Sequence, residues 1–394
     1  MERQVHSSAL FAFPFRPFFL LCAAYGALSV GLWVAAVTGL GNPLPALPSP
    51  QWHAHEMLYG FVPAAIAGFL LTAMCNWTGA RPLAGPGLVA LVLLWLAGRL
   101  AMCLQGALPY ALVAALDGAF LPLLALYAGT VLWRSRNQRN YGLVAVLLAL
   151  AVGNGLMHAA VVARQPALAA TGLALGLDLI ALLMVVVAGR ITPAFSANWL
   201  RGRGGSTPAP APAWVAYAAI GSLAAMALAD LLRAPAAITG TLALLAGLAN
   251  ALRLLYWAGW RTVREPLLWI LHLAYGFIAL ALLLRAALQF GLLHNPSLWH
   301  HSLGAGAIGI LILGVMTRVS MGHTGRPLRL LPGGLLIFMS VILAALLRLA
   351  VAAGWLPYQG GLWASALAWI GAYVLFVLLY GPVLWAPRPD GKPG

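Results

Sequence analysis

Residues 52–82, WHAHEMLYGFVPAAIAGFLLTAMCNWTGARP, decide the reading of this chain. The stretch is apolar and long enough to cross a bilayer. It is headed by His53, His55 and Glu56 and closed by Thr78-Gly79-Ala80-Arg81-Pro82. Much of it recurs at residues 299–327, WHHSLGAGAIGILILGVMTRVSMGHTGRP. With His55 set on His301, an offset of 246, Gly60 falls on Gly306, Gly68 on Gly314, Thr78 on Thr324 and Gly79 on Gly325. Arg81-Pro82 meets Arg326-Pro327 after a one-residue slip. A histidine at the same place in two related apolar segments is what a shared metal or haem needs.

Outward from these two segments the whole chain has the same character. Of its residues 63% are hydrophobic and 7% charged, which excludes a soluble globular domain, where charge is about a quarter. Twelve apolar segments follow one another: 18–39, 56–76, 84–105, 110–133, 141–163, 168–191, 213–232, 235–258, 267–290, 300–321, 329–352 and 361–384. In hydrocarbon each must satisfy its own backbone, so each is expected to be a helix. The expected fold is an all-α integral membrane protein, a single transmembrane domain over 1–394. The N-terminal stretch lacks a small-residue cleavage site and reads as a retained first helix.

The net charge of +15 does not point to nucleic acid, because its placement is topological. Arg3 and Arg16 precede segment 1. Arg81 follows segment 2, and Arg134, Arg136 and Arg139 follow segment 4. Arg201 and Arg203 follow segment 6, Arg261 and Arg264 segment 8, and Arg326 and Arg329 segment 10. The intervening loops hold little beyond Arg164 and Arg233. By the positive-inside rule both termini are expected in the cytoplasm, with the Gly/Pro-rich linker 202–212. The three cysteines, Cys22, Cys75 and Cys103, do not make a disulfide framework and read as small core residues.

A finer period is present. Ala24-Tyr25-Gly26 in segment 1 meets Ala274-Tyr275-Gly276 in segment 9. Segments 4, 8 and 12 end at Trp133, Trp260 and Trp385, each with an arginine nearby. The period is about 125 residues, four helices. It predicts three repeats, about 16–139, 140–264 and 265–388, around a pseudo-threefold axis along the membrane normal.

On this topology His53, His55, Glu56, His158, His294, His300 and His301 gather toward the outer side, whereas His272 and His323 lie nearer the cytoplasm. Ionisable groups within membrane helices are costly and usually functional. A histidine-rich set with few carboxylates suits copper or haem iron and not calcium or magnesium. Glu56 is either the carboxylate that fixes a ligand's tautomer or a helix-start carboxylate. Asp117, Asp178, Asp230, Arg99, Arg253, Arg285 and Arg348 stand apart in the sequence, and buried ion pairing or snorkelling accounts for them. His55 and His301, matched by the offset, are the expected axial pair for a haem b between helices 2 and 10. His158 and His272, related by the four-helix period, are the next candidates. His53, His55, Glu56, His300, His301 and His323 are the candidate metal residues.

WHAHEMLYGF, the GRITPAF stretch at 189–195, LHLAYG at 271–276, and HSLGAGAIG followed by MTRVSMGHTGR within 301–326 together resemble the NnrS family. The resemblance covers essentially the whole chain. It implies a bacterial inner-membrane protein of twelve helices that contains haem and copper and serves tolerance of nitric oxide alongside denitrification. It implies no settled reaction. By motif match it points to His55, His272, His301 and His323, with His53 and His158 less directly. The arrangement is also similar to that of haem–copper oxidases and nitric-oxide reductases, in which helices 2 and 10 carry the low-spin haem. Segments 6 and 7, where those proteins hold copper histidines, contain no histidine here. The competing expectations are a secondary transporter for metal or haem, and a relative of the haem–copper nitric-oxide reductases. The expected partners are the lipid bilayer and a small nitrogen oxide, with no nucleic acid.

Overall fold

Long apolar runs become helices because a backbone in hydrocarbon has only itself to bond to. In the computed structural model, which describes residues 9–40 and 49–392, twelve helices are long and apolar enough to span a membrane. They are α1 (Phe15–Val37), α2 (Pro50–Thr78), α3 (Pro86–Cys103), α4 (Tyr110–Arg134), α5 (Gln138–Ala163), α6 (Pro166–Gly202), α7 (Ala213–Leu231), α8 (Ala236–Tyr256), α9 (Pro266–Gln289), α10 (Ser297–His323), α11 (Gly334–Ala352) and α12 (Tyr358–Trp385). Among the described residues there is no strand. Arg3, His6 and Asn42-Pro43 lie outside the described residues.

The ends follow from local chemistry. Pro86 and Pro266 open α3 and α9, where a missing N–H is no loss. Gly79 closes α2 with φ +71, and its counterpart Gly325 follows α10 with φ +70. Beside them Thr78 donates to Met74 O at 2.7 Å and Thr324 to Ser320 O at 2.6 Å. A second matched feature lies at the heads of the same helices. Immediately after His55, α2 runs as a π-helix over Glu56–Phe61; immediately after His301, α10 does so over Ser302–Gly309. Such segments are rare and cluster at functional sites.

One helix is longer than its apolar pattern. Segment 6 is expected to stop at 191, before Pro193, but α6 runs to Gly202. A proline inside a helix frees the carbonyl four residues back. That carbonyl, Gly189 O, accepts from Arg253 Nη2 of α8 at 3.3 Å, and Val185 O accepts from Nη1 at 2.9 Å. Arg253 thereby repairs the break, and a side chain near Cβ of residue 189 would collide with it.

The chain forms two compact units. The first comprises the described residues of Met1–Gly176, Met316–Leu331 and Tyr373–Gly394; the second comprises Leu177–Val315 and Pro332–Ala372. In the first, α1 packs on α2 through glycines: a Cβ at Gly68 would meet Phe19, and one at Gly26 would meet Phe61. Arg16, fully buried, donates to Leu384 O at 2.7 Å and Ala386 O at 2.8 Å, capping the end of α12. In the second, α9 packs on the head of α10 in the same manner, with Gly306 against Phe277 and Gly314 against Ile270.

Candidate metal centre

His55 is the last residue before the π stretch of α2, and Glu56 the first within it. Neighbours in an ordinary helix do not face each other. Here both side chains turn inward, 1% and 0% exposed, and His55 Nδ1 lies 2.8 Å from Glu56 Oε1. Around them α1, α3, α4 and α5 of the first unit contribute one polar group after another. Tyr25 of α1 donates a short hydrogen bond to Glu56 Oε2. Arg99 of α3 pairs with Glu56 through Nη1 and with Asp117 of α4 through Nη2. Two glycines make this possible. A Cβ at Gly98 would stand 3.1 Å from the Asp117 Cα, and one at Gly60 would strike Arg99 Nη1. Trp95 Nε1 donates to Gly60 O at 3.0 Å and keeps α3 against the π stretch.

The far side is built from α5 and the start of α4. Asn154 and His158 are four apart on α5 and therefore share a face. His158 Nε2 lies 2.7 Å from Asp117 Oδ2, and its Nδ1 lies 3.0 Å from the Tyr110 hydroxyl. Asn154 Nδ2 donates to Asp117 Oδ2 at 2.8 Å, which turns its Oδ1 toward His55 Nε2, also at 2.8 Å. His55 Nε2 is 3.2 Å from Asp117 Oδ2. The two imidazoles meet edge to face at 5.3 Å. Tyr59 closes the floor, donating to Gly172 O at 2.6 Å.

The donor set has the form of a metal site. One ligand atom each from His55, Asp117 and His158 lie within 4.8 Å of one another, all three residues buried. Both inward nitrogens are Nε2, and both outward Nδ1 atoms have a partner, Glu56 for His55 and Tyr110 for His158. Such outer partners orient ligating imidazoles and raise their basicity. Arg99 occupies Asp117 Oδ1 and leaves Oδ2 facing the imidazoles. Charge points the same way: Glu56 and Asp117 share the single guanidinium of Arg99, leaving one negative charge over. His55 has an oxygen beside each ring nitrogen, Glu56 Oε1 at Nδ1 and Asn154 Oδ1 at Nε2.

A family model described as NnrS protein matches residues 9–388. The chain belongs to the NnrS family. No curated protein matches it. In this NnrS-family chain the expected residues fall as follows. His55, His158 and Glu56 come together, and the metal group of the described residues contains two of them. His53 is half-buried and stacked on Trp33 at 4.2 Å. His300 rests against Trp299, 4.2 Å between rings. His301 Nδ1 is 2.9 Å from Ser297 O, one turn earlier on α10. His272 is buried on α9, with Nε2 2.9 Å from Ser196 Oγ and its ring face covered by Gly259. His323, at the end of α10, packs on Phe15 at 5.8 Å, and its carbonyl accepts from Arg388.

Asp117, Arg99, Asn154, Tyr110 and Tyr25 are the members that sequence reasoning did not assemble. Asp117 and Arg99 read as isolated charges because their partners lie on other helices. The four-residue spacing of Asn154 and His158, and the seven-residue spacing of Tyr110 and Asp117, are the signals that place each pair on one helix face.

Proposed function

We propose that this protein is a bacterial inner-membrane metalloprotein of the nitric-oxide response, holding a transition-metal ion at His55, Asp117 and His158. The observation that carries the reading is the convergence of two Nε2 atoms on one carboxylate oxygen, with each Nδ1 held from outside. Copper is the ion the family resemblance implies, and imidazole with carboxylate suits copper(II). Such an ion, once bound, would supply redox chemistry toward a small nitrogen oxide. The chain's own part is to hold two imidazoles in the ligating tautomer, to limit Asp117 to one oxygen through Arg99, and to balance charge with Glu56.

A second identity has its own support. Two histidines and one carboxylate is the donor set of non-haem iron(II). Metal analysis of the detergent-purified full chain, with electron paramagnetic resonance for copper hyperfine structure, separates the two. In either case His158→Ala and Asp117→Asn should each lose about one metal ion per chain while the protein still inserts. Full metal content in both variants refutes the site.

Haem b is also implied by the family. His55 Nε2 faces Asn154 Oδ1 and Asp117 Oδ2, and in this reading His55 serves the small ion. The expectation of haem on His55 and His301, with His158 and His272 as the next candidates, is tested separately by the haem content of single variants. Haem content of His301→Ala and His272→Ala, measured beside His55→Ala, decides: loss of haem in both His55→Ala and His301→Ala supports that pair, and normal haem in both refutes it. A cytoplasmic placement of both termini and the threefold repeat belong to the same proposal, supported by the arginine distribution and by the matched π segments.

A further inference from the structure

The second unit holds another buried ionic group, on different helices and outside the metal reading. Arg285 of α9 is 4% exposed. It pairs through Nη1 with Asp178 of α6 and through Nη2 with Asp230 of α7, both contacts short. Its guanidinium lies over the Trp299 ring at 4.5 Å, which covers that face against water. Asp178 is buried at 2%, whereas the Asp230 side chain keeps 17% of its surface and stands one residue before the end of α7.

The charge count repeats that of the first unit, two carboxylates to one guanidinium, but among the described residues no imidazole bonds to either carboxylate. Among the described residues Arg285 is the only ion-pair partner of both. The other charged or titratable groups nearby are otherwise engaged. Arg253 of α8 bonds Val185 O, Gly189 O and the Tyr275 hydroxyl. Arg348 of α11 bonds Ser297, as does His301. His300 of α10 lies in electrostatic reach of Arg285, with its ring packed on Trp299. An unpaired negative charge among membrane helices costs several kcal/mol, and the smallest cation that removes it is a proton.

We propose that Asp178, Arg285 and Asp230 form a proton-binding site within the membrane helices, the two carboxyls sharing one proton. Asp178, buried, is the holder. Asp230, partly exposed at the end of α7, is the port through which the proton exchanges. Binding converts one carboxylate to a carboxylic acid and leaves the other paired with Arg285, so the group becomes neutral. Two like carboxylates in one site disfavour each other's ionisation, and a shared proton relieves the surplus charge. The proposal does not depend on the metal site.

Infrared difference spectroscopy of the purified full chain in lipid nanodiscs at neutral pH tests it. The wild-type spectrum minus that of Asp178→Asn should show the C=O stretch of one protonated carboxyl, shifted in heavy water. Subtracting Asp230→Asn should show the same loss, because removing either carboxylate leaves a neutral pair with Arg285. Arg285→Gln should instead about double the band, since both carboxyls then protonate. Asp390→Asn is the control and leaves it unchanged. The Asn variants are isosteric and keep the test valid if Arg285→Gln does not fold. Absence of the band in both Asn differences overturns the proposal and assigns the compensating charge to His300. A band that appears only when sodium is replaced by choline overturns it in favour of a sodium site.

Discussion

Gly60→Ala is a change of one methyl group that should dismantle the metal centre. A Cβ at residue 60 would lie on Arg99 Nη1 and 2.9 Å from Glu56 Oε2. Backbone on the π stretch cannot withdraw, because Trp95 bonds Gly60 O, so the guanidinium must leave. Glu56 and Asp117, 0% and 2% exposed, then lose the cation they share. Removing one partner of a buried ion pair costs about 3–5 kcal/mol. That is roughly two to three and a half powers of ten in the folding equilibrium. Arg99→Gln removes the same cation and should cost a similar amount. The two changes should not add: the shorter Gln does not reach the place of the new Cβ. In the Arg99→Gln background Gly60→Ala should therefore cost under about 1 kcal/mol, and the helix preference of Ala over Gly offsets part of that. Equilibrium unfolding of the four proteins in mixed micelles measures the cycle. An equal cost of Gly60→Ala in both backgrounds refutes the steric argument.

Other outcomes follow from single contacts. Tyr110→Phe removes the partner of His158 Nδ1 and should weaken metal affinity about 10–100-fold without loss of fold, as measured by competition with a chelator. His323→Ala should leave both metal and haem content unchanged, because its ring packs on Phe15 beyond the metal group; loss of either would overturn that placement. Reporter fusions within 202–212 should show cytoplasm and fusions at Gly354 the opposite side, and the reverse pattern would overturn the topology. Arg388 beside Asp390 holds that carboxyl well below the usual carboxylate range. Its contribution is present at neutral pH and is lost as pH falls through the lowered value. Because Asp390 is solvent-exposed the pair is screened, so Asp390→Asn should leave the unfolding midpoint at neutral pH unchanged.

The first unit's centre and the second unit's ionic group show a common economy. Of the seven carboxylates in the chain, four lie in these two groups: Glu56 and Asp117 in one, Asp178 and Asp230 in the other. Each pair shares a single buried arginine. The surplus charge of the first faces two imidazoles, whereas in the second the shared arginine lies over an aromatic ring. The same imbalance therefore points to a metal ion in one place and to a proton in the other.

What the sequence determined by itself is what hydrocarbon imposes one segment at a time. Helix count, approximate spans and family need no partner: apolar length selects a spanning helix, and a backbone in lipid has no alternative. The local likeness of the ends of α2 and α10 was legible from matched residues at Thr78 and Thr324 and at Gly79 and Gly325, which carry the same local bond and the same left-handed turn. His55, Glu56 and His158 stood out because charge in an apolar run is expensive. Their association with Asp117, Arg99 and Asn154 was decided only by tertiary structure. Asp117 and Arg99 come from two further helices, and helix periodicity states which face a residue occupies but not what meets it. The extension of α6 past Pro193 was hidden for the same reason, since the group that satisfies Gly189 O is an arginine 64 positions away. In a membrane protein the solvent dictates the helices, and only packing dictates which costly polar groups neutralise one another.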